Sequence, residues 1–407
     1  MIISRAIERI RGSGEDNTLT LGSIDGWNNP PMAGGVNQAN AMKVSAVNAC
    51  VETLSNSLAK LPFHVIHRET KEKKNTQLSM VISRRPNEAM APSIFKKLIE
   101  VYRLLWGNAY VVPIRSPSTG RIQELIPVPP EYVMPMNDED GVLWYVVSNP
   151  QTGEQRKFRS WDMVHLKAYT QDGITGISVL SRAAEVVKTA RAAQGYEGSF
   201  YTNNAKPSGV LTYPTKLDKE AKDKVRQEWH KIHSGADKAF KVAVLDLGID
   251  YKQIGMSNSD AQFVESKNVT VEDIARFFMV PLHKIMSGKQ SYQSNEQNAI
   301  EYVTNTLHPI VEQYEEEMSY KLLFDSEIRR GYEVKANLNA ELRGDARTRA
   351  TWYKGMRESG AYSVNDILAF EDMPPVAGGD VRLASLNYVP LEDFKALSDA
   401  RNKGGDS

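Results

Sequence analysis

The stretch Ser178–Asn203, SVLSRAAEVVKTARAAQGYEGSFYTN, decides how the rest of the chain is read. It reads as one long helix crowded with small residues: Ala183, Ala184, Ala190, Ala192, Ala193, Gly195 and Gly198. Small residues let helix backbones approach closely, a steric argument best attested in membrane bundles that holds in water too. Glycine inside a helix costs about 1 kcal/mol relative to alanine. Gly195 and Gly198 therefore imply either a close packing surface or an earlier helix end.

A compact insert follows at 205–256: a strand at Gly209–Tyr213, a charged helix near 218–233, and strands at Lys241–Leu245 and Tyr251–Ile254. A second long helix covers 259–280. The pair Ser259 and Gln262 forms a capping pattern at its start, and Pro281 sets its end. The polar loop Ser287–Ser294, with Gly288 and Tyr292, comes next. Ser294 and Gln297 open a third long helix with the apolar stripe Ile300, Val303, Leu307, Ile310, Tyr314 and Met318; Pro309 sits inside it and should kink it. Residues 341–400 read as shorter helices around the turn Pro374–Asp380, and 401–407 as a polar tail.

Working back toward the N-terminus, 109–169 carries β signals. Tyr110–Ile114, Leu143–Val147 and Met163–Leu166 alternate with turns at Ser118–Gly120, Asp138–Gly141 and Pro150–Gly153, a meander of hairpins. Ser93–Trp106 is an amphipathic helix ended by Gly107-Asn108. Residues 41–61 are helical by the spacing of Val47, Val51, Leu54, Leu58 and Leu61, with Pro62 as the stop and Phe63–His67 as a strand. Residues 2–11 form a short amphipathic pattern, and 12–40 a loop or arm.

With 407 residues the chain has room for two or three packing units. Hydrophobic residues at 41% and charged residues at 25% are ordinary for a soluble globular protein. Lys+Arg and Asp+Glu both number 50, which argues against a stable nucleic-acid binder with a net basic face. Transient contact through a local ring of charge stays open. The single Cys50 forms no intrachain disulfide and, on an apolar helix, reads as a buried structural thiol. No uncharged apolar run approaches the roughly 18 residues of a membrane span. MIISRAIERIR lacks a signal peptide's continuous apolar stretch. The expectation is a chain acting in a cytosol, or in a particle assembled there, with no membrane contact.

Tests for chemistry come back empty. The stretch nearest a P-loop, Ser287-Gly288-Lys289-Gln290, has His283 where the first glycine belongs and Gln290 where a hydroxyl must hold magnesium. His230 and His233 lie on one predicted helix, but no cysteine completes a zinc set, and a solvated helix face explains them. His64 and His67 point to opposite faces of a strand. Asp138-Glu139-Asp140-Gly141 lacks the spaced ligands of a calcium loop and reads as a hairpin turn. The residues offer no catalytic constellation, no metal site and no cofactor site. They describe an α+β structural or interaction protein.

Several stretches, in order, resemble one family. They are Ala46-Val47-Asn48-Ala49-Cys50-Val51 running to Ala59-Lys60-Leu61-Pro62; Arg85-Pro86-Asn87; and Trp106-Gly107-Asn108-Ala109-Tyr110. Glu124-Leu125-Ile126-Pro127, Asp162-Met163-Val164-His165-Leu166, Lys206-Pro207-Ser208-Gly209-Val210-Leu211 and Asp260-Ala261-Gln262-Phe263 follow. Ile274-Ala275-Arg276-Phe277-Phe278-Met279-Val280-Pro281, Arg343-Gly344-Asp345 and Pro374-Pro375-Val376-Ala377-Gly378-Gly379-Asp380 complete the series. Each motif is weak by itself; their number and order over 40–380 are specific. The chain resembles the portal proteins of long-tailed double-stranded DNA bacteriophages. Ser363-Val364-Asn365-Asp366-Ile367-Leu368 departs from the family's Thr-x-Asn-Glu-x-Arg.

The resemblance implies a homo-oligomeric ring, usually a dodecamer, at one capsid vertex of the virion. It implies a phage portal fold with a β-rich and helical wing at 1–175 (N-terminal arm 1–40), a two-helix stem at 178–203 and 259–280, and a small α/β clip at 205–256. A tunnel loop at 287–294, a long kinked wing helix and strand at 295–340, and a helical crown with its tail at 341–407 complete it. Double-stranded DNA passes transiently and without sequence preference during packaging and ejection. Lys289, Gln290, Ser291, Tyr292 and Gln293 are the candidate DNA-facing residues. Lys188 and Arg191 on the first stem helix are further candidates, for which a solvated face serves equally. Implied partners are the terminase large subunit, the major capsid protein and a head-completion or adaptor protein. Two rival readings are another phage head structural protein and a nucleic-acid-processing enzyme.

Overall fold

The spacing that predicts the first helix produces it. Helix α1 is Ser45–Lys60, and Val47, Val51, Leu54 and Leu58 are all buried. Pro62 ends the run and strand β1, Phe63–His67, follows. The structure is a computed structural model that describes residues 36–150, 152–203, 209–212, 220, 223, 227, 250–253, 269–285, 295–341, 346–371 and 373–382. The N-terminal pattern at 2–11, His230, His233, the capping pair Ser259/Gln262, Ser294 and the loop 287–294 lie outside the described residues.

The chain divides into two compact units. The first takes Met1–Ala59, Phe63–Gln290 and Ile310–Lys335; the second takes Lys60–Pro62, Ser291–Pro309 and Ala336–Ser407.

In the first unit, α2 (Gln77–Ser83) and α3 (Pro92–Trp106) precede a run of strands. These are β2 (Asn108–Arg115), β3 (Ile122–Val128), β4 (Val133–Asn137), β5 (Leu143–Ser148), β6 (Gln155–Arg159) and β7 (Val164–Lys167). They form two three-stranded antiparallel sheets, ordered β3-β2-β7 and β4-β5-β6. The expected meander is therefore corrected: β7 returns to pair with β2 rather than with its predecessor β6. Strands β3, β4 and β6 were not anticipated. β3 has most residues buried, so it lacks the alternation that marks a half-exposed strand, and β6, QRKFR, carries too few apolar residues to announce itself. The two sheets share a core in which Tyr110, Val112 and Val128 meet Val133, Tyr145, Val147 and Phe158. The Asp138 turn closes β4–β5 as a hairpin: Asp138 accepts from the Asp140 and Val142 amides at 3.1 and 2.8 Å and from Trp144 Nε1 at 2.8 Å.

Behind the β2 sheet lies a buried ionic joint. Glu100 on α3 receives both nitrogen donors of Arg103, Nε at 2.8 Å and Nη2 at 2.6 Å, and the Tyr314 hydroxyl at 2.9 Å. Glu100 is fully buried and Tyr314 is 2% exposed. Tyr314 belongs to the third long helix, which runs as α-helix over Asn295–Glu301, π-helix over Tyr302–Leu307 and α-helix again over His308–Leu322. The kink expected at Pro309 takes the form of this π segment. Proline has no N–H to give the carbonyl four residues back and its ring crowds that carbonyl. The widened turn instead sends the His308 N–H to the Val303 carbonyl. Ile300, placed in the buried stripe by spacing, is 43% exposed, which corrects that assignment. The strand Tyr332–Ala336 pairs with β1.

The second unit contains the helices Ala346–Glu358 and Val364–Phe370. A ring cluster joins them: Tyr353 stacks on Phe370 at 6.4 Å, and Trp352 meets Tyr362 edge-on at 5.3 Å.

His165 on β7 is 2% exposed. Its ring lies 4.4 Å from the Tyr110 ring. Its Nδ1 is 3.0 Å from the Tyr145 hydroxyl and its Nε2 is 2.9 Å from Asn108 Oδ1. Because the Asn108 oxygen can only accept, Nε2 carries the proton and Nδ1 accepts from Tyr145. Burial, with the nearby charges of Lys167 and Lys321, holds its pKa well below the usual histidine value.

Two measurements follow from this core. Glu100→Ala leaves a buried guanidinium uncompensated and should lower the unfolding free energy by about 3–5 kcal/mol in urea titration; a loss within error of zero contradicts the ionic joint. His165 is neutral in the fold with a depressed pKa, so its contribution is complete above about pH 6.5 and fades as pH falls below it, by up to about 1.4 kcal/mol per pH unit. His165→Gln should be less stable at pH 7 and show a shallower decline toward pH 5. His64, whose burial also lowers its pKa, supplies a residual slope in both.

Candidate functional site

The decisive stretch folds as α4 (Val179–Arg182) and α5 (Ala184–Asn203), broken at Ala183. Ser178 caps it, accepting from the Ser181 amide at 2.9 Å. Ala183, Ala184, Val187 and Ala190 are buried, so the early small residues mark the packed side of the helix. The opposite face is polar and exposed: Glu185, Lys188, Thr189 and Arg191. Lys188 pairs with Glu185 at 3.8 Å and is 54% exposed, a contact worth little in water. Gly195 and Gly198 do not end the helix, and a methyl group added at either meets nothing within 4 Å. The earlier helix end they allowed is thereby overturned. The candidates Lys289, Gln290, Ser291, Tyr292 and Gln293 lie outside the described residues, while Lys188 and Arg191 stand together on the exposed α5 face.

Of the expected insert, Gly209–Thr212 and Asp250–Gln253 form an antiparallel pair. Of the expected second long helix, residues 269–278 are described and helical, with Ile274, Ala275 and Phe278 buried. Its exposed face alternates in sign, with Arg276 paired to Glu272 and Asp273. It stops at Met279, whose φ of 56° is left-handed, and the Val280 amide closes onto the Ala275 carbonyl at 3.0 Å.

The family-like motifs turn out to meet in pairs. Trp106-Gly107-Asn108 joins the strand that leads into α4. Gly107 ends α3 with φ 82°, and a Cβ there would stand 2.4 Å from the Gly176 carbonyl oxygen. Asn108 Nδ2 donates to that carbonyl at 2.8 Å, and its Oδ1 accepts from the Gly176 amide at 2.7 Å. His165, from Asp162-Met163-Val164-His165-Leu166, donates to the same Oδ1. Asn87 of Arg85-Pro86-Asn87 donates to the Leu125 carbonyl at 2.9 Å, and the Leu125 amide donates back to Pro86 O at 2.7 Å. In the second unit, Asn365 donates to Val376 O and Asp380 and accepts from the Val376 amide. Ser363 and Asp366 form a reciprocal capping box, so the departure at 363–368 keeps the helix start. Sequence reading took these asparagines as markers without roles. For Asn108 the available signal was its place beside the helix-ending Gly107, where exposed backbone groups need partners.

Among the described residues no cluster of three or more His, Cys, Asp or Glu is placed to hold a metal ion, and no helix is long and apolar enough to cross a membrane. Cys50 is buried and its thiol is pushed up to about 12 by burial.

Comparison with known proteins adds the family. The phage portal protein profile matches residues 45–372. The portal protein of Enterobacteria phage HK97 is 28% identical over 379 residues, spanning 91% of this chain and 88% of the relative. A probable portal protein of Streptomyces phage phiC31 is 29% identical over 365 residues, 86% of this chain and 78% of the relative. The fold is shared with the neck of a native gene transfer agent particle computed with C12 symmetry (TM-score 0.59, 21% identity, 84% of this chain and 95% of that one). It is also shared with a crystal structure of an HK97-family phage portal protein from Corynebacterium diphtheriae (TM-score 0.52, 16% identity, 76% and 97%). A profile matched over residues 45–372, most of its length, makes this chain a member of the phage portal protein family.

Proposed function

We propose that the chain is a portal subunit of a virion: it forms a homo-oligomeric ring at one capsid vertex and provides the channel for double-stranded DNA packaging and ejection. The family match over 45–372 carries this reading. The likeness to a particle neck computed with C12 symmetry supports a dodecamer. Its role is structural; another chain supplies the energy for DNA movement.

In this reading 178–203 and 259–280 are stem, 205–256 clip, 287–294 tunnel loop, 341–407 crown, and 1–175 with 295–340 wing. The exposed polar face of α5 suits a surface that borders either water or a passing polyanion. B-DNA carries one phosphate charge per roughly 1.7 Å of axis. A channel must guide that charge without holding it, since a site binding at about 10 nM costs roughly 11 kcal/mol to leave. A chain with 50 basic and 50 acidic residues, and a lysine tempered by Glu185 on the stem, fits transit better than capture. The clip engages the terminase large subunit and later a head-completion or adaptor protein, and the wing contacts the major capsid protein.

Negative-stain microscopy of the purified chain should show closed rings; a flat shell lattice, or hydrolysis of ATP or DNA by the chain alone, contradicts the reading. Lys289→Ala and Tyr292→Ala should assemble rings normally yet change DNA packaging or retention in particles. Wild-type packaging and retention in both removes the tunnel-loop assignment. Lys188→Ala with Arg191→Ala should keep stability within about 0.5 kcal/mol, as expected of exposed positions, while altering DNA retention; unchanged retention assigns that face to solvent.

A further inference from the structure

We propose that Asn108 is a positioning residue for α4 and α5, fixing the direction in which the stem helix leaves the β-sheets. Its consequence for DNA passage rests on the channel reading above; its mechanical part does not.

The strands β8 (Tyr169–Thr170) and β9 (Gly176–Ile177) form the hairpin that delivers the chain to α4. The hairpin is stiff at its tip. Asp172 accepts from the Ile174 and Thr175 amides at 2.8 Å each, from the Thr175 hydroxyl at 2.7 Å and from the Thr170 hydroxyl at 3.0 Å. Its base is clasped by Asn108, which satisfies both the amide and the carbonyl of Gly176. The clasp has no slack. A Cβ on Gly176 would fall 2.0 Å from the Gly107 oxygen, and that same oxygen accepts from the Ala168 amide at 2.8 Å. Only Ile177 separates Gly176 from the N-cap Ser178. Arg182 on α4 lies 5.1 Å over the Tyr169 ring, a second strut from the same hairpin.

Asn108 is held in turn. His165 Nε2 donates to it, and Tyr145 on the second sheet orients His165. A continuous chain of directed bonds therefore runs from β5 through β7 and β2 to the last strand before the stem. A side-chain amide carries both the donor and the two-lone-pair acceptor needed to pair with an amide and a carbonyl of the same residue while also accepting from an imidazole.

Asn87 provides a matched control. It is also buried, and it also pairs with backbone groups of another segment, at Leu125, Ala89 and Met90. It holds the turn at 87–90 against β3, and none of these partners lies on the route to α4. A purely structural role predicts the same behaviour for both asparagines.

The test places spin labels on exposed positions of β3 and α5, Gln123→Cys and Ala192→Cys, in full-length chains diluted with unlabelled ones. Cys50, being buried, stays unlabelled in the folded protein. Asn108→Ala should roughly double the width of the inter-label distance distribution, the signature of an element freed from a local constraint. Asn87→Ala should lose comparable thermal stability and leave the width unchanged. Asn108→Ser, a milder truncation, secures the measurement if the alanine variant fails to fold. A width unchanged in Asn108→Ser, or equally broadened by Asn87→Ala, overturns the proposal. In particles, Asn108→Ser rings should retain less DNA than Asn87→Ala rings; equal retention with a broadened helix removes the role in the channel. Failure of the unsubstituted chain to form rings counts against the portal reading and leaves the clasp standing.

Discussion

Buried backbone groups at the joints between segments must find partners, and this fold depends on how it meets that demand. A strand or helix satisfies its own amides and carbonyls; the places where one element ends and another passes do not. Here three asparagines do it. Asn87 ties a turn to β3, Asn108 ties β2 to the strand before α4, and Asn365 ties a helix to the Pro374–Asp380 turn. Glycine makes two of these approaches possible: a side chain at Gly176 or Gly379 would collide with Gly107 O or with Asn365 Oδ1 at 2.3 Å. Several of the motifs that mark the family supply these joints.

Much of the fold was legible because apolar spacing and helix-ending residues are local signals. Phe63–His67, the α3 end at Gly107 and the α1 stop before Pro62 follow from a few residues each. The β region was legible as β but not as topology. Which strands pair depends on partners far away in sequence, and β7 skips four strands to reach β2. The π segment was foreshadowed by Pro309, but a proline gives only the missing donor, not the way the chain absorbs it.

For the candidate site, the exposed α5 face was legible in part. Lys188 and Arg191 fall on the polar side of a helix whose alanines identify the packed side. The glycines at 195 and 198 were ambiguous because glycine weakens a helix without fixing where it ends; the helix runs through both, with open space where a Cβ would stand. The role of Asn108 in tying β2 to the strand before α4 was faint in the sequence, marked only by its place beside the helix-ending Gly107. Its partners, at 165 and 176, are residues remote in sequence whose types are unremarkable in isolation.

The π-helical turn at Tyr302–Leu307 stores an odd residue within an otherwise regular rod. Each residue of an α-helix advances the chain by about 1.5 Å and turns it by about 100°. Removing one residue from that turn would rotate the segment Asn295–Glu301 by about that angle and bring an α-helical carbonyl back against the Pro309 ring. In evolutionary terms the turn is a phase adjuster. It lets the stretch before it change its facing by a single insertion or deletion while the buried contacts of Val311, Tyr314 and Met318 stay in register.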